Sequence, residues 1–270
     1  MDITEITDQL QFPEGPIAMP DGSVILVEIM RGTLSRVMPD GEIQVVAEPG
    51  GGPNGAAMGP DGHCYICNNG GFEWSRSSRG LIFPGNQASD YTTGRIEKIN
   101  VETGVVEKLY TDCDGEPLKG PNDIVFDKEG GFWFTDHGKN RARDRERTGV
   151  YYETVDGQHI VEAIFPMEAP NGIGLSPDEN TLYVAETPTG RLWAYALAAP
   201  GEIDRSQRPF MMAQIPDHHM FDSLAVDAEG NVCVATLING GITIHSACLL
   251  YTSDAADEGL GVDLGGRRII

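Results

Sequence analysis

Two short apolar runs that flank a polar turn recur along the chain. Residues 170–187, PNGIGLSPDENTLYVAET, show the pattern most clearly, with alternating apolar positions on both sides of a Ser-Pro-Asp-Glu-Asn cluster. Alternation of this kind is typical of half-buried strands, and Pro, Asp and Asn favour tight turns. Similar segments occupy residues 13–29, 53–69, 121–137 and 221–237. Self-similarity at this period predicts a repeat array or a propeller.

The spacing of the copies favours a propeller. Each segment begins with a polar head residue, and successive heads lie 40, 68, 49 and 51 residues apart. The heads are Glu14, Asn54, Asn122, Asn171 and Asp222. A third apolar run and usually a fourth follow each segment, without an amphipathic helix between them. We therefore predict an all-β fold, a β-propeller with four antiparallel strands per blade, and disfavour a solenoid, which would need helices or shorter repeats.

The head residues are the candidate functional residues. The first strand of every propeller blade lines the central channel, so the heads should form a ring at one end of it. A single Asn at such a position could be an ordinary turn residue. Two carboxylates and three carboxamides at the same position of five repeats instead predict an oxygen cage. Oxygen donors suit hard cations such as Ca²⁺ and Mg²⁺, whereas the lack of His and Cys disfavours zinc.

Two excursions interrupt the repeats. Residues 69–94 form a long segment between the second and third strands of the second blade, and long loops in compact domains are often lids or binding loops. This segment carries Trp74, which is placed to cover the channel. The second excursion, residues 137–148, is highly charged and is most simply a solvated loop. Its first residue, His137, directly follows a second strand and is a further candidate.

Composition and charge limit the function classes. The chain has 270 residues, enough for one large β domain, and a formal net charge of −22 argues against nucleic acid and anionic membranes as partners. The first residues show neither a secretory signal nor a membrane span, so we expect a cytoplasmic protein with reduced cysteines. Cys64 and Cys67 form a lone C-x-x-C in a predicted strand, where they face opposite sides, so we expect no thiolate metal site.

The two ends of the chain carry separate expectations. Residues 1–11 are predicted to form a strand that closes the ring. From residue 247 the sequence changes character, because LLYTSDAADEGLGVDLGGRRII has neither alternation nor a head residue and resembles the translated read-through of a sequencing adaptor. We therefore assign residues 1–246 to the propeller, with its last blade missing, and 247–270 to a non-native tail. A genuine irregular tail is the alternative.

Four motifs in order carry a family resemblance. They are FPEGP from residue 12, GPNDIVFDKEGGFWFTD from 120, PNGIGLSPDENTLYVAET from 170 and FDSLAVDAEGNVCVA from 221. Over about residues 10–246 the chain resembles the regucalcin (senescence marker protein)–gluconolactonase family of six-bladed, metal-dependent propellers. The resemblance implies a six-bladed type of propeller, here truncated after the fifth blade starts. One departure is Ser223, which follows Asp222 where the family usually has Gly.

The resemblance also implies a site and an activity. One divalent cation, Ca²⁺ most naturally with Mg²⁺, Mn²⁺, Fe²⁺ or Zn²⁺ as alternatives, would be held by Glu14, Asn171 and Asp222. Such a cation polarises a lactone carbonyl and activates water, with Asp222 as the proton acceptor. The expected reaction is hydrolysis of a sugar lactone. Substrate-binding positions are predicted at Asn54, Asn122, Trp74 and His137.

Two other functions fit the same ring of oxygens. A non-catalytic calcium-binding or partner-binding propeller would need the cage without turnover. A metal-dependent organophosphate or aryl-ester hydrolase would differ only in the shape of the pocket. The sequence has no phosphate-binding glycine loop and no nucleophile elbow, so nucleotide and covalent serine chemistry are not predicted. The oligomeric state is not predicted.

Overall fold

The computed structural model describes residues 4–78, 80–215, 219–238 and 240–246, and the described residues form strands and turns without a helix. The strands are β1 (Pro13–Ala18), β2 (Val24–Glu28), β3 (Thr33–Val37), β4 (Ile43–Ala47), β5 (Pro53–Met58), β6 (Cys64–Asn68), β7 (Phe72–Arg76), β8 (Ile82–Gln87), β9 (Arg95–Ile99), β10 (Val106–Tyr110), β11 (Asp112–Cys113), β12 (Glu116–Pro117), β13 (Pro121–Phe126), β14 (Phe132–Asp136), β15 (Thr148–Glu153), β16 (Ile160–Met167), β17 (Pro170–Leu175), β18 (Thr181–Glu186), β19 (Arg191–Ala199), β20 (Glu202–Ile203), β21 (Phe210–Gln214), β22 (Phe221–Val226), β23 (Val232–Thr236) and β24 (Gly241–His245).

The strands form five antiparallel blades, which confirms the all-β propeller. The first blade is β1-β2-β3-β4, the second β5-β6-β9-β10 and the third β13-β14-β15-β16. The fourth is β17-β18-β19-β21 with the short β20 beside β19, and the fifth has β22-β23-β24 among the described residues. The innermost strands β1, β5, β13, β17 and β22 lie side by side in that order. We call the end of the channel where these five strands begin the channel mouth.

The turns between first and second strands are built by aspartates, as the repeat pattern indicates. In the third blade the Asp127 carboxylate accepts from the backbone N–H groups of Glu129 and Gly131, both at 3.0 Å. In the fifth blade Asp227 accepts from the N–H groups of Glu229 and Asn231 at 2.9 and 2.8 Å. An Asp side chain that bonds the backbone ahead of it mimics a backbone turn. The same short motif therefore closes the hairpin at the channel end opposite the mouth.

The hydrophobic core lies between neighbouring blades. Cys64 packs with Ile25 and Ile66 between the first and second blades, whereas Cys67 packs with Phe134 and other side chains between the second and third. Residues three apart on a strand face opposite sides, so this division follows from the strand geometry. The two cysteines face different cores, as predicted.

Two expectations about irregular segments are wrong. Residues 4–12 form no strand; they cross the first blade, where the Gln11 N–H donates to Glu28 Oε2 at 2.7 Å and Phe12 accepts from the Ile29 N–H. Residues 69–94 are not simply a loop, because β7 and β8 pair as a hairpin within them. Residues 247–270 lie outside the described residues, so their assignment to a non-native tail stays a prediction. No helix among the described residues is long and apolar enough to cross a membrane.

One carboxyl group in the core is buried without a hydrogen-bond partner among the described residues. Glu153, at the end of β15, is fully buried, and neither oxygen of its carboxyl group has a hydrogen-bond partner in the described part of the chain. Burial raises the pKa of Glu153 well above its ordinary value. The side chain is therefore held as the neutral acid more readily than in water.

Replacing Glu153 by Met should stabilise the fold. We expect Glu153→Met to raise the free energy of unfolding at pH 7 by about 1–3 kcal/mol, because a buried polar group without partners is removed. The unfolded chain loses the Glu153 proton above its ordinary pKa of 4.5 while the folded chain keeps it, so wild-type stability falls as pH rises beyond that value. The gain should thus be larger at pH 7 than at pH 4.

Urea unfolding at both pH values measures this effect. Glu153→Gln is the control, since it removes the ionisation but keeps the polar group. Its gain over wild type should rise between pH 4 and pH 7 as that of the Met variant does, and it should be smaller at pH 7. A Met variant that is less stable than wild type at pH 7 would show that the carboxyl group makes a stabilising contact.

Candidate functional site

The head residues sit where the innermost strands leave regular pairing. In each blade the residue before the head is paired with the last residue of the second strand, as Pro170 is with Glu186. Regular pairing then shifts, and it resumes at Ile173 in this blade. The second, third and fifth blades show the same shift across the head, whereas in the first blade Glu14 itself pairs with Val27 and the shift follows it. Irregular pairing of this kind changes the direction of a side chain, so the heads of the second to fifth blades are released from the pleat of their sheets.

In four blades a polar residue at the end of the second strand accepts hydrogen bonds from the backbone segment that leads to the head. In the third blade the Asp136 carboxylate accepts from the N–H groups of Lys119 and Gly120, both at 2.7 Å. In the second blade Asn68 Oδ1 accepts from the N–H of Gly52 at 2.9 Å. Glu28 and Glu186 make the corresponding contacts to the N–H groups of Gln11 and Glu168. The segment that leads into each of these innermost strands is therefore hydrogen-bonded to its own blade.

Glycines after the heads let neighbouring innermost strands touch. A Cβ added to Gly55 would lie 2.3 Å from the carbonyl oxygen of Asn122, and one added to Gly172 would lie 2.7 Å from the carbonyl oxygen of Asp222. Real Cβ atoms essentially never approach other atoms so closely. The heads of adjacent blades are therefore brought together by direct backbone contact, and a larger residue would force the strands apart.

The three predicted metal ligands lie at the channel mouth. Asn171 Nδ2 donates to Asp222 Oδ1 at 2.8 Å and to Thr187 Oγ1 at 3.1 Å, which uses both amide hydrogens and leaves Asn171 Oδ1 as an acceptor. Burial raises the pKa of Asp222. Burial, and then the charges of Asp222 and Asp123, raise the pKa of Glu14 well above its ordinary value. The charge of Asp222 therefore acts on Glu14, although the two residues lie on the fifth and first blades.

The sequence did not single out Asp123, the residue after the head Asn122. Its carboxylate accepts from Ser223 Oγ at 2.7 Å and from the Ile124 N–H at 3.0 Å, and burial raises its pKa to about 6. Ser223 is the residue noted above as a departure from the family resemblance, and its hydroxyl connects β22 to β13. A polar residue directly after the head was the available signal for both. Asp123 adds a third carboxyl group beside the ring.

The other two heads are buried at the same ring position. Asn54 is the second residue of β5 and Asn122 the second residue of β13, each directly after the proline that opens the strand, and both side chains are less than one-tenth exposed. The backbone contact at Gly55 joins these two strands. Their places agree with a ring of five heads, and their predicted roles toward a substrate stay predictions.

Trp74 and His137 occupy different surroundings. Trp74, on β7, packs its ring against Phe12 with centroids 5.1 Å apart, and Phe12 lies two residues before Glu14. His137 follows β14, and its N–H donates to the carbonyl of Gly120 at 2.9 Å. Burial, then the positive charges of Arg145 and Lys139, lower the pKa of His137 to about 3. Trp74 therefore approaches the ring through Phe12, while His137 is a neutral imidazole beside cations rather than beside the ring carboxylates.

The donor set suits a hard divalent cation better than zinc. The ring groups all offer carboxylate or amide oxygens. Burial first, and then the charges of Asp222 and Asp123, raise the pKa of Glu14, and a bound cation would relieve the repulsion between these carboxylates. Within the described ranges no three His, Cys, Asp or Glu side chains form a group that could hold a metal ion. A cation at the mouth would thus need amide oxygen in addition to Glu14 and Asp222, and Asn171 Oδ1 is placed to supply it.

The fold and the ring define a propeller with a polar, acidic channel mouth, and sequence comparison gives its family. The chain belongs to the family described as the SMP-30/Gluconolactonase/LRE-like region, whose model matches residues 12–247. Lactonase drp35 of Staphylococcus saprophyticus is 30% identical over 248 residues, which cover 90% of this chain and 68% of the relative. The gluconolactonase of Zymomonas mobilis is 26% identical, with 90% of this chain and 69% of the relative covered.

Solved structures agree on the fold. A gluconolactonase from Xanthomonas campestris matches with a TM-score of 0.69 at 22% identity, covering 90% of this chain and 75% of that protein. Regucalcin from Agrobacterium tumefaciens, described as a calcium-binding protein, matches with a TM-score of 0.68 at 20% identity, covering 90% and 73%. The chain spans only 63% of the length of a Staphylococcus aureus lactonase to which it is 28% identical.

Proposed function

We propose that this chain carries the active site of a divalent-cation-dependent hydrolase that opens sugar lactones. The observation that carries the proposal is the convergence of Glu14, Asn171 and Asp222 at the channel mouth, with Asn171 bonded to Asp222. Membership of the family and the lactonase names of its relatives support this reaction class. The calcium-binding description of the Agrobacterium neighbour supports Ca²⁺ as the first cation to test, before Mg²⁺, Mn²⁺, Fe²⁺ and Zn²⁺.

The ring residues would have different roles in the reaction. When bound, a divalent cation polarises the lactone carbonyl and lowers the pKa of coordinated water. Glu14, Asp222 and Asn171 Oδ1 would hold it. Asp222 would also accept the proton of the attacking water. The hydrogen bond from Asn171 occupies Asp222 Oδ1 and so leaves Oδ2 for that transfer.

The remaining groups would orient the sugar. Asn54 and Asn122 present amide groups at the ring, which can both donate to and accept from sugar hydroxyls. Trp74 would cover the apolar face of the sugar from the first-blade side, where it already packs on Phe12. His137 would contribute as a neutral hydrogen-bonding group, since its lowered pKa keeps it uncharged at neutral pH.

Cation removal tests the proposal. We expect δ-gluconolactone and a pentonolactone to be hydrolysed only with added divalent cation, and Glu14→Ala to lose both cation binding and at least about 10²-fold in turnover. Activity is followed by acid release at constant pH, and binding by calorimetry for each metal. Glu129→Ala, in a turn at the opposite end of the channel, is the matched control and should match wild type.

The outcomes separate the candidate functions. Cation binding that Glu14→Ala abolishes, without turnover on a lactone panel, would support a non-catalytic calcium-binding propeller. Turnover of aryl esters or organophosphates but not of lactones would support the other hydrolase class. Hydrolysis that persists in the presence of a strong chelator would contradict the role given to the ring.

A further inference from the structure

A fully buried lysine links the third blade to the insertion of the second. Lys139 follows β14 and has no exposed surface. Its Nζ donates to the carbonyl of Gly71 at 2.7 Å and to Asn69 Oδ1 at 3.2 Å. Both acceptors lie where residues 69–94 leave the second blade. The ammonium group therefore makes its hydrogen bonds to another blade rather than to its own.

Aromatic rings of the same insertion complete the enclosure of the lysine. Lys139 Nζ lies 4.2 Å from the centroid of the Phe72 ring and 5.3 Å from that of Tyr91. Ammonium groups at such distances are attracted by the ring faces, more strongly when water is excluded. Phe72 begins β7, and Tyr91 lies near the return of the insertion to the sheet. The ammonium group thus contacts both ends of the insertion.

Two further contacts hold the insertion in place. The Gln87 N–H, at the end of β8, donates to the carbonyl of Asn140 at 2.9 Å. On the other side, Trp74 packs on Phe12 of the first blade and on Phe72 with centroids 6.0 Å apart. The insertion therefore extends from the first blade to the third on the mouth face. Of these contacts, only that of Lys139 brings a charged group into the interior.

Burying the charge of Lys139 costs free energy, and filling space in the core is not a sufficient reason for that cost. Desolvation lowers the pKa of this ammonium group to about 7, although Asp136 and Glu146 act in the opposite direction. An apolar side chain of similar length would fill the same volume without that penalty. What an apolar side chain cannot supply is directional bonding to Gly71 and Asn69. The structural gain from Lys139 is therefore a fixed position for the insertion.

We propose that Lys139 is a positioning residue that holds residues 69–94 against the channel mouth and so sets which substrates the site accepts. Trp74 links the position of the insertion to the site. It lies on β7, and its ring packs on Phe12, two residues before Glu14. The position of the insertion follows from this structure alone. Only the effect on substrate selection rests on the proposed lactonase function.

Hydrogen exchange of the insertion tests the positioning directly. In Lys139→Met we expect amide exchange in β7 and β8 to accelerate about tenfold, while exchange in β13 and β14 stays as in wild type. Arg141→Met is the matched control, since Arg141 is exposed on the same loop and its hydrogen bond to the described part of the insertion is a long one, to Gln87 at 3.4 Å. Acrylamide quenching of Trp74 fluorescence, isolated by subtracting a Trp74→Phe variant, should increase in Lys139→Met but not in the control.

Lactone kinetics test the effect on selection. For a sugar lactone, Lys139→Met should raise KM about fivefold or more with kcat within about twofold, because a loosened Trp74 weakens binding rather than proton transfer. A small unsubstituted lactone should show little change. Cation affinity should equal that of wild type, which separates this effect from damage to the ring. Arg141→Met should keep wild-type KM for both lactones.

Clear results would overturn the proposal. Exchange and quenching in Lys139→Met that match wild type would show that the insertion is held without the lysine. If Lys139→Met does not fold, Lys139→Gln provides the same test, since it removes the charge and shortens the reach to Gly71, and it should accelerate exchange in β7 by a smaller factor. If wild type proves not to be a lactonase, the exchange results still decide the role of Lys139, so the two failures are distinguishable.

Discussion

Asp222→Asn is expected to lose about 10²- to 10⁴-fold in lactone turnover, the range spanned by removal of a general base. The substitution keeps the size of the side chain and an oxygen that can accept the 2.8 Å hydrogen bond from Asn171. It removes the charge and the ability to take a proton. Because an amide oxygen still ligates hard cations, we expect cation affinity to weaken by less than turnover does.

Turnover and cation binding measured on the same preparations distinguish the two roles of Asp222. Asp227→Asn, five residues further on in an exposed turn of the same blade, is the matched control and should retain wild-type kinetics. Full activity in Asp222→Asn would remove this residue from the mechanism. Equal losses of cation affinity and turnover would assign it a ligand role without proton transfer.

Gly172→Ala should disturb both the fold and the site. The new Cβ would lie 2.6 Å from the backbone nitrogen of Leu224 and 2.7 Å from the carbonyl oxygen of Asp222, so β17 and β22 must separate. Overpacking of this kind typically costs about 1–3 kcal/mol. The same displacement would move Asp222 away from Asn171, and we expect cation binding to weaken with the loss of stability.

Gly174→Ala is the matched control for Gly172→Ala. It lies on the same strand, but its added Cβ would meet only side-chain atoms, those of Leu224 at 2.7 Å and Val226 at 3.0 Å, which can move. We therefore expect a smaller loss of stability and unchanged cation affinity in urea unfolding and calorimetry. Comparable effects of the two substitutions would show that strand contact at the ring does not position the ligands.

The ring was predictable because its position is encoded locally. Each head follows a proline or phenylalanine and precedes a short apolar run, so the register of a head within its blade can be read from the repeat. The propeller geometry then places equal positions at one end of the channel. This reasoning predicted one ring of five heads, and the choice of Glu14, Asn171 and Asp222 as cation ligands came from the family resemblance and stays a prediction. It also placed Cys64 and Cys67 in separate cores.

Other features could not be predicted from the sequence, because they depend on contacts between residues that are far apart along the chain. The predicted strand at residues 1–11 was wrong for residues 4–11, because the segment bonds to Glu28 and the turn after β2 instead of pairing as a strand. The hairpin of β7 and β8 has no repeat to mark it. Asp123 is tied to the ring by a hydrogen bond from Ser223, which lies 100 residues away in the sequence. Long-range contacts of this kind have no local period.

The sequence by itself determined the class of fold, the number of repeats and the kind of donor at the mouth, since alternation, turn chemistry and head residues are all local properties. Tertiary structure decided which donors interact, because the distance between Glu14 and Asp222 depends on how neighbouring innermost strands pack at Gly55 and Gly172. It also decided the place of the insertion, which rests on a buried ammonium group whose partners belong to another blade. The cost of burying that charge depends on its complete surroundings, and these exist only in the folded chain.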